Sequence, residues 1–451
     1  MINKPKGCYD ITGKDAKKWK YVEKIIDSIM EKYNYNYIRT PIFESSDLFH
    51  RGIGETSDIV SKETYDFKDR GDRDITLRPE GTAGVVRAYI ENKMYGDATQ
   101  PIKLYYNGTM YRYERPQSGR DRELTQFGVE VLGCNDPMVD AEVVSLAVNV
   151  YKLLGLKGIK VNINSLGDNE SRLKYKEVLV DYFRPHIDGL CDDCKKRFEK
   201  NPLRILDCKV DGGNDIIKNA PTTLDYLNDE SSMFFEKFKE YLDLLEIEYV
   251  VNPKIVRGLD YYNHVVFEIE ADIKDFGSNN VIGAGGRYNS MVEQLGGPKT
   301  ECVGFASGIG RVMLALEKEG ISLPIVNHVD LYLMYVSESE KNYAIYMANE
   351  LRMNGFIVEV EYLGRSLKSQ FKQADRLNSK YVVVLNDEEL NNNEIKIKNN
   401  KTKEEDIISI DTLIYYLDEK LVEDDVEEEL SDSCCGHSCE GDCSSGCSCS
   451  H

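Results

Sequence analysis

Tyr105 to Gly133 reads YYNGTMYRYERPQSGRDRELTQFGVEVLG. Both ends are rich in β-branched and aromatic residues, while the middle, PQSGRDR, is polar and carries a Pro, a Gly and two arginines, Arg120 and Arg122. This pattern predicts a long β-hairpin closed by a basic loop. Side chains alternate along a strand, so Gly108, Met110, Arg112 and Glu114 share one face of the first arm. Gln126, Gly128, Glu130 and Leu132 share a face of the second. An arginine, carboxylates and an amide are thereby presented together, with glycines leaving room beside them. Charges are seldom placed mid-strand unless a ligand or partner meets them; the alternative is a salt-bridged solvent face.

The arginine-bearing strand YRYERPQSGR and its return QFGVEVLG resemble the second signature motif of class II aminoacyl-tRNA synthetases, and in detail that of the histidyl-tRNA synthetase family. Length and composition leave room for this. The 451 residues suffice for two or three domains with a sizeable core. No run of 18 apolar residues and no signal-peptide apolar region is present, which predicts a cytoplasmic protein with no membrane role. A net charge of −21 argues against nucleic-acid binding at first sight. However, residues 418–432, DEKLVEDDVEEELSD, hold nine acids against one lysine, so the charge is segregated. Half of the twelve cysteines crowd the last 18 residues, unlike a secreted disulfide framework.

Ahead of the hairpin, residues 15–34 place Trp19, Val22, Ile25, Ile26, Ile29 and Met30 at helical spacing. A strand, YNYIRTPIFES (35–45), follows with Pro41 inside it, which suits an edge or an interface. Helix and strand together resemble the first class II motif, which implies a homodimer. Next, Ile75–Arg78 reads as a strand that turns into a helix from about Ala83. Glu80 and Thr82 occupy the turn, with Gly81 permitting close approach. They either face a cavity or form an ordinary helix start capped by Thr82. LRPEGT (77–82) matches the family segment that holds the amino group of histidine.

Beyond the hairpin, residues 137–155 read as a helix, and 168–250 as mostly helical and polar. In GLCDDCKKRFEKNPLRILDCK, Cys191 and Cys194 form a CxxC pair with Cys208 fourteen residues on. Such a set either binds zinc, with no fourth ligand evident unless His186 serves, or stays as reduced structural thiols. NPLRILDCK resembles the helical insertion of bacterial members of the family. Two strands surround VRGLDYYNHVVFEIE, where Arg257 stands among apolar and aromatic residues and calls for an anionic partner. VIGAGGRYNSM reads as a glycine-rich turn presenting Arg287 and Tyr288 to a ligand, or as a plain tight hairpin. RGLDYY and GAGGRY resemble the two blocks peculiar to this family. CVGFASGIGRVMLALE (302–317), with Arg311 near the helix start, resembles the third class II motif. Two positions depart from the family: Gly310 in place of glutamate and Thr125 in place of histidine.

From Asn327 a β-α-β-α-β order implies a small α/β domain with a parallel sheet. GRSLKSQFKQADRL forms a Lys/Arg-bearing helix there, either a solvated face or, by resemblance, part of an anticodon-binding domain. The tail SDSCCGHSCEGDCSSGCSCSH carries Cys434, Cys435, His437, Cys439, Cys443, Cys447, Cys449 and His451. It has too few apolar residues to fold by burial, and its thiolates and imidazoles could bind Zn²⁺ or Cu⁺ or remain unligated.

The resemblance implies an α+β fold, an antiparallel class II sheet flanked by helices. The catalytic domain spans 1–325, with the insertion at about 170–245. A C-terminal α/β domain (327–417), an acidic linker (418–433) and the Cys-rich tail (434–451) follow. It implies ATP-dependent activation of L-histidine, with Mg²⁺, and transfer to histidine tRNA. By the same resemblance, Arg112 and Arg257 are catalytic. Glu80, Gly81, Thr82, Arg112, Gln126, Glu130, Arg257, Tyr261, Tyr262 and Tyr288 bind histidine. Arg112, Glu114, Arg120 and Arg311 bind ATP, and Arg120 and Arg122 reach ATP or the tRNA end. The competing readings are a histidine-sensing paralogue, of the kind that regulates ATP phosphoribosyltransferase, and a metal-handling protein acting through its tail.

Overall fold

The hairpin forms with ten residues in each arm, Ile102–Tyr111 and Glu123–Leu132, in a register that sets Gly108 opposite Gln126 and Leu104 opposite Glu130. It lies inside an eight-stranded sheet of the computed structural model. In spatial order the strands are Asn36–Tyr37, the two hairpin arms, Cys302–Gly308, Val281–Arg287, Asn263–Ala271, Ile159–Ser165 and Tyr249–Val251. The pairings are antiparallel except at the two edges, where Asn36–Tyr37 and Tyr249–Val251 run parallel to their neighbours. The structure describes residues 1–54, 59–116, 119–208, 210–255, 257–273 and 280–422. They fall into two compact units that divide after Ile325.

Both faces of the sheet are covered, so period-2 alternation sends each strand's side chains into two different cores. Phe127, Val129 and Val131 enter the larger one, built with the helices Gly13–Lys32, Pro137–Leu153, Asp229–Leu244 and Ile309–Lys318. Gly13–Lys32 buries Val22, Ile26, Ile29 and Met30, the stripe expected from its sequence. Each such side chain contributes about 1.5–3 kcal/mol. Pro137–Leu153 starts on Asp136, whose carboxylate accepts the N–H of Met138, and is buried almost all round. On the other face, Leu132 joins the helices Ser46–Ile53 and Thr82–Glu91 in a second core rich in tyrosine.

Two expectations are corrected. Residues 35–45 are not one strand. Asn36–Tyr37 pairs with the large sheet and Phe43–Ser45 with a three-stranded one, and the chain crosses between them at Pro41, which cannot donate to a ladder. The glycine-rich segment is not a turn but the strand Val281–Arg287, paired on both edges. Its glycines answer crowding from neighbours: a Cβ on Gly283 would meet the Tyr151 hydroxyl and the Phe305 ring, and one on Gly285 the Gly304 carbonyl. Arg287 is correspondingly structural. It is fully buried, and its guanidinium donates to both oxygens of Asp140 at 2.6–2.9 Å and to the Cys134 and Asp136 carbonyls. The strand is thereby tied to the central helix.

A satellite core of Tyr175, Leu179, Phe183, Leu190, Cys194, Leu203, Ile205, Cys208 and Ile217 organises the helical insertion. The second unit holds a five-stranded sheet. Val358–Val360, Val329–Met334 and Ser379–Val384 are parallel, as expected, and Glu394–Asn399 and Glu405–Ser409 extend it antiparallel, which the sequence reading did not foresee. Among the described residues no helix is long and apolar enough to cross a membrane.

Removing one partner of a buried ion pair strands the other charge. Arg287→Met is therefore expected to cost about 3–5 kcal/mol, read by urea unfolding through the fluorescence of Trp19, the chain's one tryptophan. A loss below about 1 kcal/mol would show that water already serves Asp140.

Candidate active site

Alternation turns Glu130 away from Val129 and Val131 and toward the tyrosine-rich core, where it is buried. The Thr82 hydroxyl donates to one of its oxygens at 2.7 Å and the Tyr288 hydroxyl to the other at 2.6 Å. Gly304 on the adjacent strand makes room, since a Cβ there would overlap the carboxylate. Burial outweighs the two hydroxyl donors and lifts the Glu130 pKa from 4.5 to about 8. Glu80 lies beside it, also buried. Its two oxygens accept the N–H groups of Thr82 and Ala83 at 2.7 and 2.8 Å, so Glu80, not Thr82, caps the helix Thr82–Glu91. Burial raises its pKa too, against those amides and Arg112.

These groups line a cavity of about 680 Å³ together with Arg112, Arg120, Gln126, Arg257, Tyr261, Tyr262 and Tyr288. The Tyr261 and Tyr262 rings lie 4.6 Å apart and Tyr261 and Tyr288 5.8 Å apart, forming one aromatic wall. The buried Oε1 of Gln126 accepts no hydrogen bond from any described residue. A second cavity of about 530 Å³ is lined by Glu114, Asp121, Glu123, Thr125, Gly310 and Arg311. Arg112, Arg120, Gln126, Arg257 and Glu268 line both. The two chambers therefore meet at a wall of arginines.

Each arginine is already aimed. Arg112 Nε donates to the Pro79 carbonyl at 2.8 Å, and Glu114 lies 3.9 Å from Arg112 and 3.7 Å from Arg120. Arg311 Nε donates to the Val281 carbonyl at 2.7 Å. Burial, with Arg120 nearby, lowers the Arg311 pKa to about 10. Arg257 sits over the Tyr262 ring and hydrogen-bonds Glu268, so the anion its surroundings called for is on the chain itself. Glu268 was missed, although the alternation of VVFEIE turns it to the same side of its strand as Val266, a member of the tyrosine-rich core.

Other expected residues lie elsewhere. Gly81 packs its Cα against the Tyr106 ring and lines neither cavity. Arg122 lies over the Tyr113 ring at 3.9 Å, outside both cavities. Arg287 is spent on Asp140. Cys434, Cys435, His437, Cys439, Cys443, Cys447, Cys449 and His451 fall outside the described residues. Among the described residues the metal-competent group is Cys191, Cys194, Cys208 and Asp211; His186 is exposed and not in it. The insertion also brings Arg197, Arg204 and Asp207 to the first cavity, a fold-back with no local sequence signal.

A histidyl-tRNA synthetase family model matches residues 7–173 and 183–312, and an anticodon binding domain model matches 330–420. The chain is 50% identical over 421 residues to a histidine–tRNA ligase of Bacillus cytotoxicus, covering 93% of this chain and all of that one. It is 51% identical over 417 residues to one from a Geobacillus species, covering 92% of this chain and 99% of the relative. The crystal structure of apo Staphylococcus aureus histidyl-tRNA synthetase superposes with a TM-score of 0.80 at 46% identity, over 92% of this chain and 100% of that one. A Bacillus halodurans structure described as an ATP phosphoribosyltransferase regulatory subunit/histidyl-tRNA synthetase aligns at 22% identity and TM-score 0.58, over 85% of this chain and 98% of that one, which is a likeness of fold.

A carboxyl whose folded pKa exceeds its unfolded value contributes stability that is complete below the unfolded pKa and lost as pH rises through the folded one. For Glu130 that window runs from 4.5 to about 8. Across it the wild type should lose stability relative to Glu130→Gln by up to about 1.4 kcal/mol per pH unit, in urea melts at stepped pH. A difference that does not vary with pH would place the Glu130 pKa near its ordinary value.

Proposed function

The chain belongs to the histidyl-tRNA synthetase family, and on that premise we propose how its two chambers divide the reaction. It is a histidine–tRNA ligase. The carboxylate of histidine attacks the α-phosphorus of ATP, pyrophosphate leaves, and histidyl-adenylate forms. The 3′-hydroxyl of the terminal tRNA adenosine then attacks the activated carbonyl and AMP leaves.

The observation that carries the residue assignment is the arginine wall shared by the two cavities. Histidine occupies the first. Its ammonium meets Glu130, Thr82 and the unpartnered Oε1 of Gln126, while Glu80 sets the end of the helix that carries Thr82. Its imidazole meets Tyr261, Tyr262 and Tyr288, whose hydroxyls donate or accept according to tautomer. ATP occupies the second, with Arg311 toward the adenine and outer phosphates and Arg120 and Glu114 at the hairpin loop. The histidine carboxylate and the α-phosphate then meet between Arg112 and Arg257. Catalysis of this kind is positioning plus neutralisation of developing charge. Pairing with Glu268 holds the Arg257 guanidinium in place before substrate arrives. Mg²⁺ takes hard oxygen ligands, and Glu114, Asp121, Glu123 and Glu268 offer carboxylates in the second cavity. When bound with ATP, the ion neutralises pyrophosphate charge. The histidine-sensing alternative gives way to relatives half identical to this chain along nearly its whole length.

In this reading the unit after Ile325 binds the anticodon arm. Lys368, Lys372 and Arg376 are exposed at four-residue intervals along Leu367–Arg376, a basic stripe suited to phosphates. The chain works in the cytoplasm, alongside its tRNA, and as a homodimer. The edge strand Asn36–Tyr37 and the adjoining segment expose Tyr37, Ile42 and Phe43, apolar surface that a second copy would cover.

Arg257→Ala, with Glu268→Gln added so that no carboxylate is stranded, should still bind histidine through its ammonium and imidazole contacts, with the carboxylate contact weakened. Histidine-dependent ATP–pyrophosphate exchange should fall on the order of 10²–10³-fold. Exchange at the wild-type rate would remove Arg257 from the chemistry, and histidine binding without exchange in the wild type would restore the sensor reading. Sedimentation velocity should find a dimer that Tyr37→Lys with Phe43→Lys dissociates; a wild-type monomer would refute the assembly.

A further inference from the structure

We propose that Cys191, Cys194, Cys208 and Asp211 hold one tetrahedral zinc ion that clips the helical insertion at the rim of the active-site cavity. Their ligand atoms, three sulfurs and a carboxylate oxygen, all lie within 4.8 Å of one another. The sulfurs of Cys191 and Cys208 are 3.7 Å apart. Zinc–thiolate bonds of about 2.3 Å arranged tetrahedrally put sulfurs about 3.8 Å apart, whereas a disulfide needs about 2.05 Å. A Cys191–Cys208 disulfide would also leave Cys194 and the carboxylate converging on nothing.

The sequence carries the same geometry twice. Cys191 and Cys194 are separated by two residues, and so are Cys208 and Asp211. Paired x2 spacings put two ligands on each of two tight turns, as zinc sites commonly do. The second pair escapes notice because a carboxylate stands where a cysteine or histidine is usually sought. Backbone amides complete the cradle: Cys191 N–H donates to Asp211 Oδ2 at 2.8 Å, and Asp211 N–H donates to Cys208 Sγ at 3.3 Å. Three thiolates reject Mg²⁺ and Ca²⁺, and the carboxylate with fourfold geometry favours Zn²⁺ over Cu⁺.

The site has structural work to do. The satellite core around it is small, and small cores commonly need a staple. Directly after Cys191, the helix Asp192–Lys200 leads to Asn201 and Arg204. Asn201 donates to Asp260 and Arg204 to the Gly258 carbonyl, both at 3.1 Å, within the same RGLDYY segment that carries Arg257, Tyr261 and Tyr262. A metal joining the start of that helix to Cys208 and Asp211 fixes where the insertion meets the pocket.

The test is metal content by plasma mass spectrometry on the desalted full-length chain, which stands apart from any activity. To separate this site from the tail, all six tail cysteines are changed to serine in the full chain. That protein should retain about one zinc per chain, and adding Cys191→Ser with Cys208→Ser should abolish it. Cobalt reconstitution of the tail variant should give thiolate-to-metal charge transfer with tetrahedral d–d bands. Asp211→Cys should retain the metal and shift those bands, which keeps the test decisive if the serine variant fails to fold. The proposal is overturned if the tail variant carries no zinc, if zinc survives the double serine substitution, if Asp211→Cys leaves the cobalt spectrum unchanged, or if the native chain yields a Cys191–Cys208 disulfide.

Discussion

A carboxylate carried into the middle of a covered sheet has to be compensated, and the arrangement around Glu130 shows what compensation demands of the fold. The Thr82 hydroxyl reaches it from a helix start, the Tyr288 hydroxyl from the end of the glycine-rich strand, and Gly304 withholds a side chain so that it fits. Three elements distant in sequence are thus held to one small volume. Burial still exceeds what two hydroxyls return, so the group is lifted to about 8 and a cation entering the pocket meets an acceptor ready to ionise.

The glycines and the ion pair behind that volume belong to the same design. Gly283 and Gly285 let the Tyr151 hydroxyl, the Phe305 ring and neighbouring backbone close in, so the strand Val281–Arg287 sits deep in the sheet. Arg287 then locks the strand to the central helix through Asp140. A rigid floor is what lets Arg112, Arg257 and Arg311 be aimed in advance through hydrogen bonds to Pro79, Glu268 and Val281. Charge stabilisation is most effective when its donors need no reorganisation at the moment of reaction.

The insertion adds a second layer with its own core. It reaches the pocket through polar contacts that include those of Asn201 and Arg204 to RGLDYY.

Alternation along YRYER and QFGVEVLG, the helical stripe of Gly13–Lys32 and the β-α-β-α-β order after Asn327 are local patterns, and each was legible because burial imposes a period on the chain. The sequence by itself therefore determined the hairpin and the strand faces that carry Arg112 and Glu130, while the class of the fold and the place of Tyr288 in the pocket were legible only through the resemblance of YRYER, RGLDYY and GAGGRY to a known family. What only the tertiary structure decided is partnership. GAGGRY looks like a ligand loop until Tyr151 and Phe305 are seen crowding it, and Arg287 looks like a ligand contact until Asp140, 147 residues away, accepts from its Nε and Nη2. Arg257 looks unpaired until Glu268 crosses from the next strand, and Asp211 becomes a ligand only when the insertion folds back on Cys191. Charge and hydrogen bonding act over a few ångströms of space, while spacing rules act along the chain, so which groups satisfy one another was settled by packing.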